Sequence, residues 1–255
     1  MRVGVVVPVH GWAPYLAECL DAILANEPDE VVVVDDGSRE PIALLDEHAA
    51  RCTLVRREAR GGIAAARATG ERALGPEVDR VASCDADDAW RPGKLAAQRA
   101  APGADVCFGR AEICGPDGRP TGERWQELPA GPVDLLPGLY RRNPIPVSSA
   151  LVRRDALREA GGYEGAFPGA AEDWDLWLRL ARRGATFVSA PGARILYRRH
   201  AGGFTADVAG LARAQLRLHA AHAELVTPAL ARRARLDDRA ALARDRLRRA
   251  YRRLV

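Results

Sequence analysis

The densest chemistry in the chain is Asp85-Ala86-Asp87-Asp88, which follows the apolar stretch Val81 to Cys84. Carboxylates at i and i+2 beyond a strand can converge on one hard cation such as Mg²⁺ or Mn²⁺, which takes oxygen ligands and also binds phosphate oxygens. The same run can instead be a solvated acidic turn that caps the following helix. A second pair, Asp35-Asp36, ends another apolar stretch and precedes Gly37, which permits a turn at positive φ. Either of these aspartates can cap a helix starting near Arg39. A third pair, Glu172-Asp173, opens an amphipathic segment where acids complement the helix dipole. Gly61-Gly62 opens an alanine-rich segment whose first amides favour an anion.

Strand–helix alternation positions these groups. Residues 2–9 and 30–35 are valine runs, the pattern of parallel strands covered on both faces. Between them Leu16, Leu20, Ile23 and Leu24 share one helical face, with Pro14 suited to the first turn. The spacing predicts a helix over 40–51, a strand over 53–57, a helix over 62–74 and a strand over 79–84. Such alternation predicts a doubly wound α/β sheet, in which ligands bind beyond the carboxyl ends of the strands. Asp35-Asp36 and the cluster 85–88 both fall at such ends. After Pro92 the chain predicts two strands around the turn GPDGRP, a strand over 146–153, a helix over 171–183 and a strand over 194–199. From Asp207 onward it predicts helices, divided at Pro228.

The segments VVVPVHG, VVVVDDGS, GGIAAARATG, CDADDAWRPGKL, SSALVRRDALREAGGYEG, AEDWDLWLRLARRG and YRRH occur in that order up to residue 200. This series resembles the family 2 glycosyltransferases. The resemblance implies an inverting enzyme that moves a sugar from a nucleotide-diphosphate-sugar donor to an acceptor hydroxyl. It also implies a GT-A-type, Rossmann-like mixed sheet flanked by helices, here with a C-terminal helical tail. By resemblance, Pro8, Val9 and His10 lie against the nucleobase and Asp36 accepts a hydrogen bond from it. Gly62 and Arg67 contact the base or pyrophosphate. His10 and Gly11 stand where the family often has Tyr and Asn, and Ala68 replaces another usual Asn. Asp85 binds the ribose or a divalent ion (Mn²⁺ or Mg²⁺), Asp87 coordinates that ion, and His200 reaches the ion or the diphosphate. Asp88 braces the loop. Asp173 is the general base, with Glu172 orienting it or touching the acceptor. Ser148-Ser149 passes beneath the donor sugar, so Ser149 counts with the donor contacts, and Gly161-Gly162-Tyr163 shapes the acceptor side.

The expected domains are a glycosyltransferase domain over 1–206 and an Arg-rich helical tail over 207–255. Within the first, residues 1–100 form the nucleotide-binding half and 101–206 the acceptor-binding half. The tail carries 12 Arg against 5 acids, although the net charge of the chain is only +4, and Lys94 is the single lysine. No apolar run is long enough to span a bilayer and no leader pattern is present, so a cytoplasmic location is expected. The tail leaves open peripheral contact with the inner membrane surface and a lipid-linked acceptor. Sugar, natural-product and protein acceptors are equally compatible, as is a homodimer. The five cysteines lack CxxC pairing and read as reduced, buried thiols. A dehydrogenase is disfavoured by the missing GxGxxG, and a sugar-1-phosphate nucleotidyltransferase by the missing Gly-rich basic loop after the first strand. Nucleic-acid binding is disfavoured because aromatics do not interleave with the basic residues. The remaining non-enzymatic reading is a nucleotide-sugar-binding protein without turnover.

Overall fold

A computed structural model describes residues 1–101, 103–163, 171–203 and 207–251. Glu164-Gly165 of the tyrosine motif, and residues 204–206 and 252–255 at the edges of the expected tail, lie outside the described residues. The first half of the chain runs β1 (Val3–Val9), α1 (Leu16–Leu24), β2 (Glu30–Asp35), α2 (Asp46–Ala49), β3 (Thr53–Arg56), α3 (Ile63–Ala73) and β4 (Arg80–Ser83). Then follow β5 (Ala89–Trp90), α4 (Lys94–Ala100), β6 (Val106–Cys114), β7 (Pro120–Arg124), β8 (Gly131–Pro132), α5 (Gly138–Arg141), β9 (Leu151–Arg153) and α6 (Arg154–Glu159). The remainder is α7 (Glu172–Arg182), β10 (Phe187–Arg198), α8 (Val208–Ala221) and α9 (Pro228–Tyr251).

The strands form one sheet in the order β3-β2-β1-β4-β9-β6-β10-β5, with β7 on β6 and β8 on β10. The first four are mutually parallel, and β9 runs antiparallel between β4 and β6. All seven residues of β1 are buried, as a strand covered on both faces requires. Its side chains alternate between the two layers. Val3, Val5, Val7 and Val9 pack with Leu16, Leu20 and Ile23 of α1, whereas Val6 faces the cluster that includes Trp174, Trp177 and Leu218. Gly70 sets the fit of α3 on the sheet, since a Cβ there would lie 2.3 Å from Val6 Cγ1.

Three elements differ from the sequence pattern for identifiable reasons. The helix expected over 40–51 shrinks to Asp46–Ala49, because the Asp35 carboxylate accepts from the amides of Ser38 and Ile42 and holds the preceding residues in a loop. Pro41, without an N–H, adds to the break. The strand expected over 146–153 is a 3₁₀ turn, Val147–Ser149, followed by the short β9, and Ser149 Oγ donates to Pro146 O at 2.8 Å. The last strand begins at Phe187 rather than 194. A shift of register between Ser189 and Arg194 accommodates Pro191-Gly192, which the local pattern reads as a break.

The tail helices join the core. Ala214 and Leu218 of α8 and Ala231 and Ala234 of α9 belong to the main apolar cluster. His219 Nδ1 lies 2.6 Å from Asp238 Oδ2 of α9, and the Tyr140 hydroxyl donates to His219 O at 2.5 Å. All five cysteines are buried free thiols. Among the described residues no helix is long and apolar enough to cross a membrane. Removing residues 228–255 uncovers part of this core and strands His219, at a cost of about 2–4 kcal/mol. Thermal unfolding should therefore show a melting temperature lower by roughly 5–15 °C, whereas a purely solvated tail would leave it unchanged.

Candidate active site

The chain order reverses between β1 and β4, and the carboxyl ends of β1, β2 and β4 meet there. A cavity of about 650 Å³ opens at this point. Pro8, Val9, His10, Asp36, Gly62, Asp85, Asp87 and His200 line it, so eight of the expected site residues come together from chain positions 8 to 200. Trp12, Tyr15 and Tyr197 line it as well. Trp12 is 90 % exposed at this cavity, unlike the buried Trp90, Trp174 and Trp177.

Asp35 and Asp36 divide their work. Asp35 is buried and ties its own loop through Ser38, Ile42 and Arg56. The Asp36 carboxylate faces the α3 start, where it accepts from Gly61 N at 2.9 Å and Gly62 N at 2.7 Å and pairs with Arg57 at 2.8 Å. The amides expected to favour an external anion thus already hold an internal carboxylate. Gly37 adopts φ +65, where a Cβ would meet the backbone of Ala59 at 2.5 Å.

Asp85, Asp87 and Asp88 each place one carboxylate oxygen within 4.8 Å of the others. Burial, then the charge of Asp85, pushes the Asp87 carboxyl above its ordinary range, against the opposing pull of His200. Burial and the same neighbouring charges push Asp88 well above it. Asp88 accepts from Ser148 Oγ at 2.6 Å and from Arg198 N at 3.0 Å, so both of its oxygens are used in bracing the loop. His200 Nε2 lies 2.9 Å from Asp87 Oδ2. Asp85 and Asp87 therefore present carboxylate oxygens at one edge of the cavity, donors that suit a hard divalent cation, with the His200 imidazole beside Asp87.

A second cavity of about 340 Å³ adjoins the first, and Ile63, Asp85 and Tyr197 line both. Glu172 and Asp173, at the start of α7, line this second space. Arg67 is buried between the two acidic groups. Its guanidinium donates to Ser83 Oγ at 2.9 Å, to Asp85 Oδ1 at 2.5 Å and to Glu172 Oε1. Burial opposes the charge of Arg67, but Asp85 and Glu172 outweigh it and raise its pKa. Burial likewise raises Glu172, with Arg67 pulling the other way. Asp173 is pushed up to about 7 by burial and then by the charge of Glu172. Asn143 Nδ2 donates to Asp173 Oδ2 at 3.0 Å, and Oδ1 accepts from Trp174 N.

Two expected contacts stand elsewhere. Arg67 is committed to carboxylates rather than left open toward a nucleotide. Ser149 is buried, lines neither cavity and bonds to Pro146, while its neighbour Ser148 bonds Asp88 and Asp85 N. Sequence reasoning passed over Asn143, Arg198 and Trp12. Arg198 donates to Asp87 O at 2.8 Å, pairs with Glu18 at 2.7 Å and lies 4.3 Å from the Tyr15 ring centroid. The YRRH motif was its available signal. Asn143 had none, because its role arises only from the approach of α7.

Comparison with known proteins extends this picture. The glycosyl transferase family 2 pattern matches residues 4–161, and the pattern described as glycosyltransferase like family 2 matches residues 143–230. An uncharacterized glycosyltransferase, alr2836 of Nostoc sp., is 36% identical over 101 residues, covering 37% of this chain and 31% of that protein. The match thus spans about a third of that relative's length. TarS 1–349 of S. aureus superimposes with a TM-score of 0.64 at 18% identity, over 95% of this chain and 70% of that one. The mannosyltransferase PcManGT of Pyrobaculum calidifontis, solved with GDP-Man and Mn²⁺, gives 0.60 at 22% identity, over 94% and 69%. At such identities these likenesses establish the GT-A-type fold alone. The family pattern covers well over half of the 255 residues, and by that match the chain belongs to glycosyl transferase family 2.

Proposed function

We propose that the chain transfers a sugar from a nucleotide-diphosphate donor to an acceptor hydroxyl, with inversion and with a divalent cation held by Asp85, Asp87 and His200. One observation carries this reading: two adjoining cavities share Asp85, the first bearing the acidic cluster and the second bearing Asp173. The first has the size and mixed lining of a small-ligand site. PcManGT, of the same fold, was solved with a nucleoside-diphosphate sugar and Mn²⁺, which supports this choice of donor and ion.

In this reading the donor base lies among Pro8, Val9, His10 and Asp36, with the exposed Trp12 beside it, and its diphosphate points toward Asp85 and Asp87. When bound, the cation neutralises charge developing on the leaving diphosphate. Asp173 accepts the proton of the acceptor hydroxyl as that oxygen attacks the anomeric carbon from the face opposite the leaving group, so the configuration inverts. A carboxyl with a pKa of about 7 is well matched to general base work near neutrality. Asn143 fixes its orientation, and Arg67 keeps Glu172 paired beside it. Our division of labour gives residues 1–100 the donor side and 101–206 most of the acceptor side. Leu211 and Gln215 of α8 also line the second cavity, so the acceptor side extends into the first tail helix.

A nucleoside diphosphate should raise the melting temperature only in the presence of Mn²⁺ or Mg²⁺, because preferential binding stabilises the folded state. Asp87→Ala should abolish that cation-dependent increment, and equal stabilisation in EDTA would sink the bridged-metal reading.

Asp173→Asn should lower transfer by about 10²-fold or more, while the nucleotide-dependent increment in melting temperature persists. Product anomers read by NMR should be inverted. The sign of the pH effect follows from the raised carboxyl: over about pH 4 to 7 the folded state binds more protons than the unfolded one, so this group lowers stability as pH rises through that window. Wild-type transfer should climb over the same window as Asp173 ionises. Asp173→Asn should lose that fall in stability and be the more stable protein at pH 8. Near-wild-type transfer by Asp173→Asn would move the base elsewhere.

A further inference from the structure

The second cavity carries a charge asymmetry that the transfer reaction does not use. Its inner wall holds Asp85, Glu172 and Asp173, and Arg67 there is already bound to two of the three. Arg141 and Arg142 line the same cavity, and both are exposed. Among the described residues neither side chain has an ion pair or hydrogen bond, and no further acidic residue lines the cavity. Their position is not arbitrary. Asn143, the next residue, donates to Asp173, which ties the chain at this point to the proposed base. Arg142 and Arg141 therefore stand one and two residues from the group that holds Asp173, with successive Cα atoms about 3.8 Å apart. Trp125 and Trp174 also line the cavity and add apolar surface to it.

We infer that the acceptor carries a phosphate or carboxylate at the end remote from the hydroxyl that attacks, and that Arg141 and Arg142 hold this anion at the cavity mouth. The inference rests on the reading of the second cavity as the acceptor site. Paired guanidinium groups recognise planar or tetrahedral oxyanions through two-point hydrogen bonds, which a neutral acceptor cannot match. Two adjacent like charges repel each other, and a bound anion offsets that repulsion. The arrangement also orients the acceptor, because the acidic inner wall repels the anionic end and leaves a hydroxyl facing Asp173.

The test compares full-length wild type with Arg141→Gln/Arg142→Gln and Arg141→Lys/Arg142→Lys, using ligand-observed NMR titration with glucose 1-phosphate, glucuronate and glucose. The wild type should bind one or both anions about tenfold or more tightly than glucose. The Gln variant should lose that preference, while the Lys variant should keep part of it by charge alone. Vesicles of phosphatidylglycerol, set against phosphatidylcholine, distinguish a lipid-borne anion from a free one, and binding to them that vanishes in the Gln variant supports the same site. The unliganded melting temperatures should coincide, since these side chains have no partners to lose. Equal binding of glucose and the anions, or an anion preference that survives in the Gln variant, overturns the proposal. If instead nucleoside diphosphate with Mn²⁺ fails to stabilise the wild type, the transferase reading fails, and the anion titration, made without nucleotide, still reports on the arginines.

Discussion

The guanidinium of Arg67 donates at once to Ser83 on β4, to Asp85 at the carboxyl end of that strand and to Glu172 at the start of α7. It is almost wholly buried, and Tyr163 faces it with the ring centroid 5.4 Å away. A buried ion triad of this kind is worth little as net stability, but removing one member leaves an uncompensated charge that costs about 3–5 kcal/mol. It joins β4, the acidic turn after it and the start of α7 at one point. Asp85 lines both cavities and Glu172 the second, so the spacing between the two carboxylates is set by one rigid planar fork. A lysine supplies one point charge and cannot bridge two carboxylates in fixed geometry.

The same arrangement explains how so many acids tolerate one another. Asp85, Asp87, Asp88, Glu172 and Asp173 crowd two adjoining cavities. Arg67 neutralises the pair at its ends, Arg198 and Ser148 hold Asp88, and His200 offsets Asp87. Burial, and then the mutual repulsion of the acids, still raises the carboxyls of Asp87 and Asp88. In the proposed reading, a divalent cation held by Asp85 and Asp87 would offset that repulsion. Asp173 is raised to about 7 by burial and then by the charge of Glu172, which outweigh the pull of Arg67.

The C-terminal helices act on the site from behind. His222 Nε2 lies 2.8 Å from Asp175 Oδ1, and Arg179 bonds the other oxygen at 2.8 Å, so the end of α8 is tied to the first turn of α7, two residues beyond Asp173. His219 continues the contact to Tyr140 and, through Asp238, to α9. The Arg-rich segment is therefore a brace for α7 as well as a charged surface, which its composition alone does not reveal.

By itself the sequence determined the strand–helix alternation, the acidic strand ends, the hairpin around GPDGRP and the helix beginning at Glu172. Each rests on a local pattern: β-branched runs, helical spacing, or turn residues within a few positions. The order of motifs also determined which residues gather at the donor cavity, since strand ends in a doubly wound sheet converge whatever the loops do. Tertiary structure alone decided that Arg67 would bind Glu172, 105 residues away, rather than point at a nucleotide. It decided that Ser148 and not Ser149 would face the acidic cluster, because a 3₁₀ turn replaced the expected strand and rotated the two side chains relative to the sheet. It also decided that Asn143 would hold Asp173, that Asp35 would abolish most of a helix, and that Arg141 and Arg142 would line the second cavity without an ion pair among the described residues. The physical reason is common to all of these. Partners distant in the chain, and the charges they leave unpaired, are fixed by which elements pack together, and no local pattern of residues encodes that.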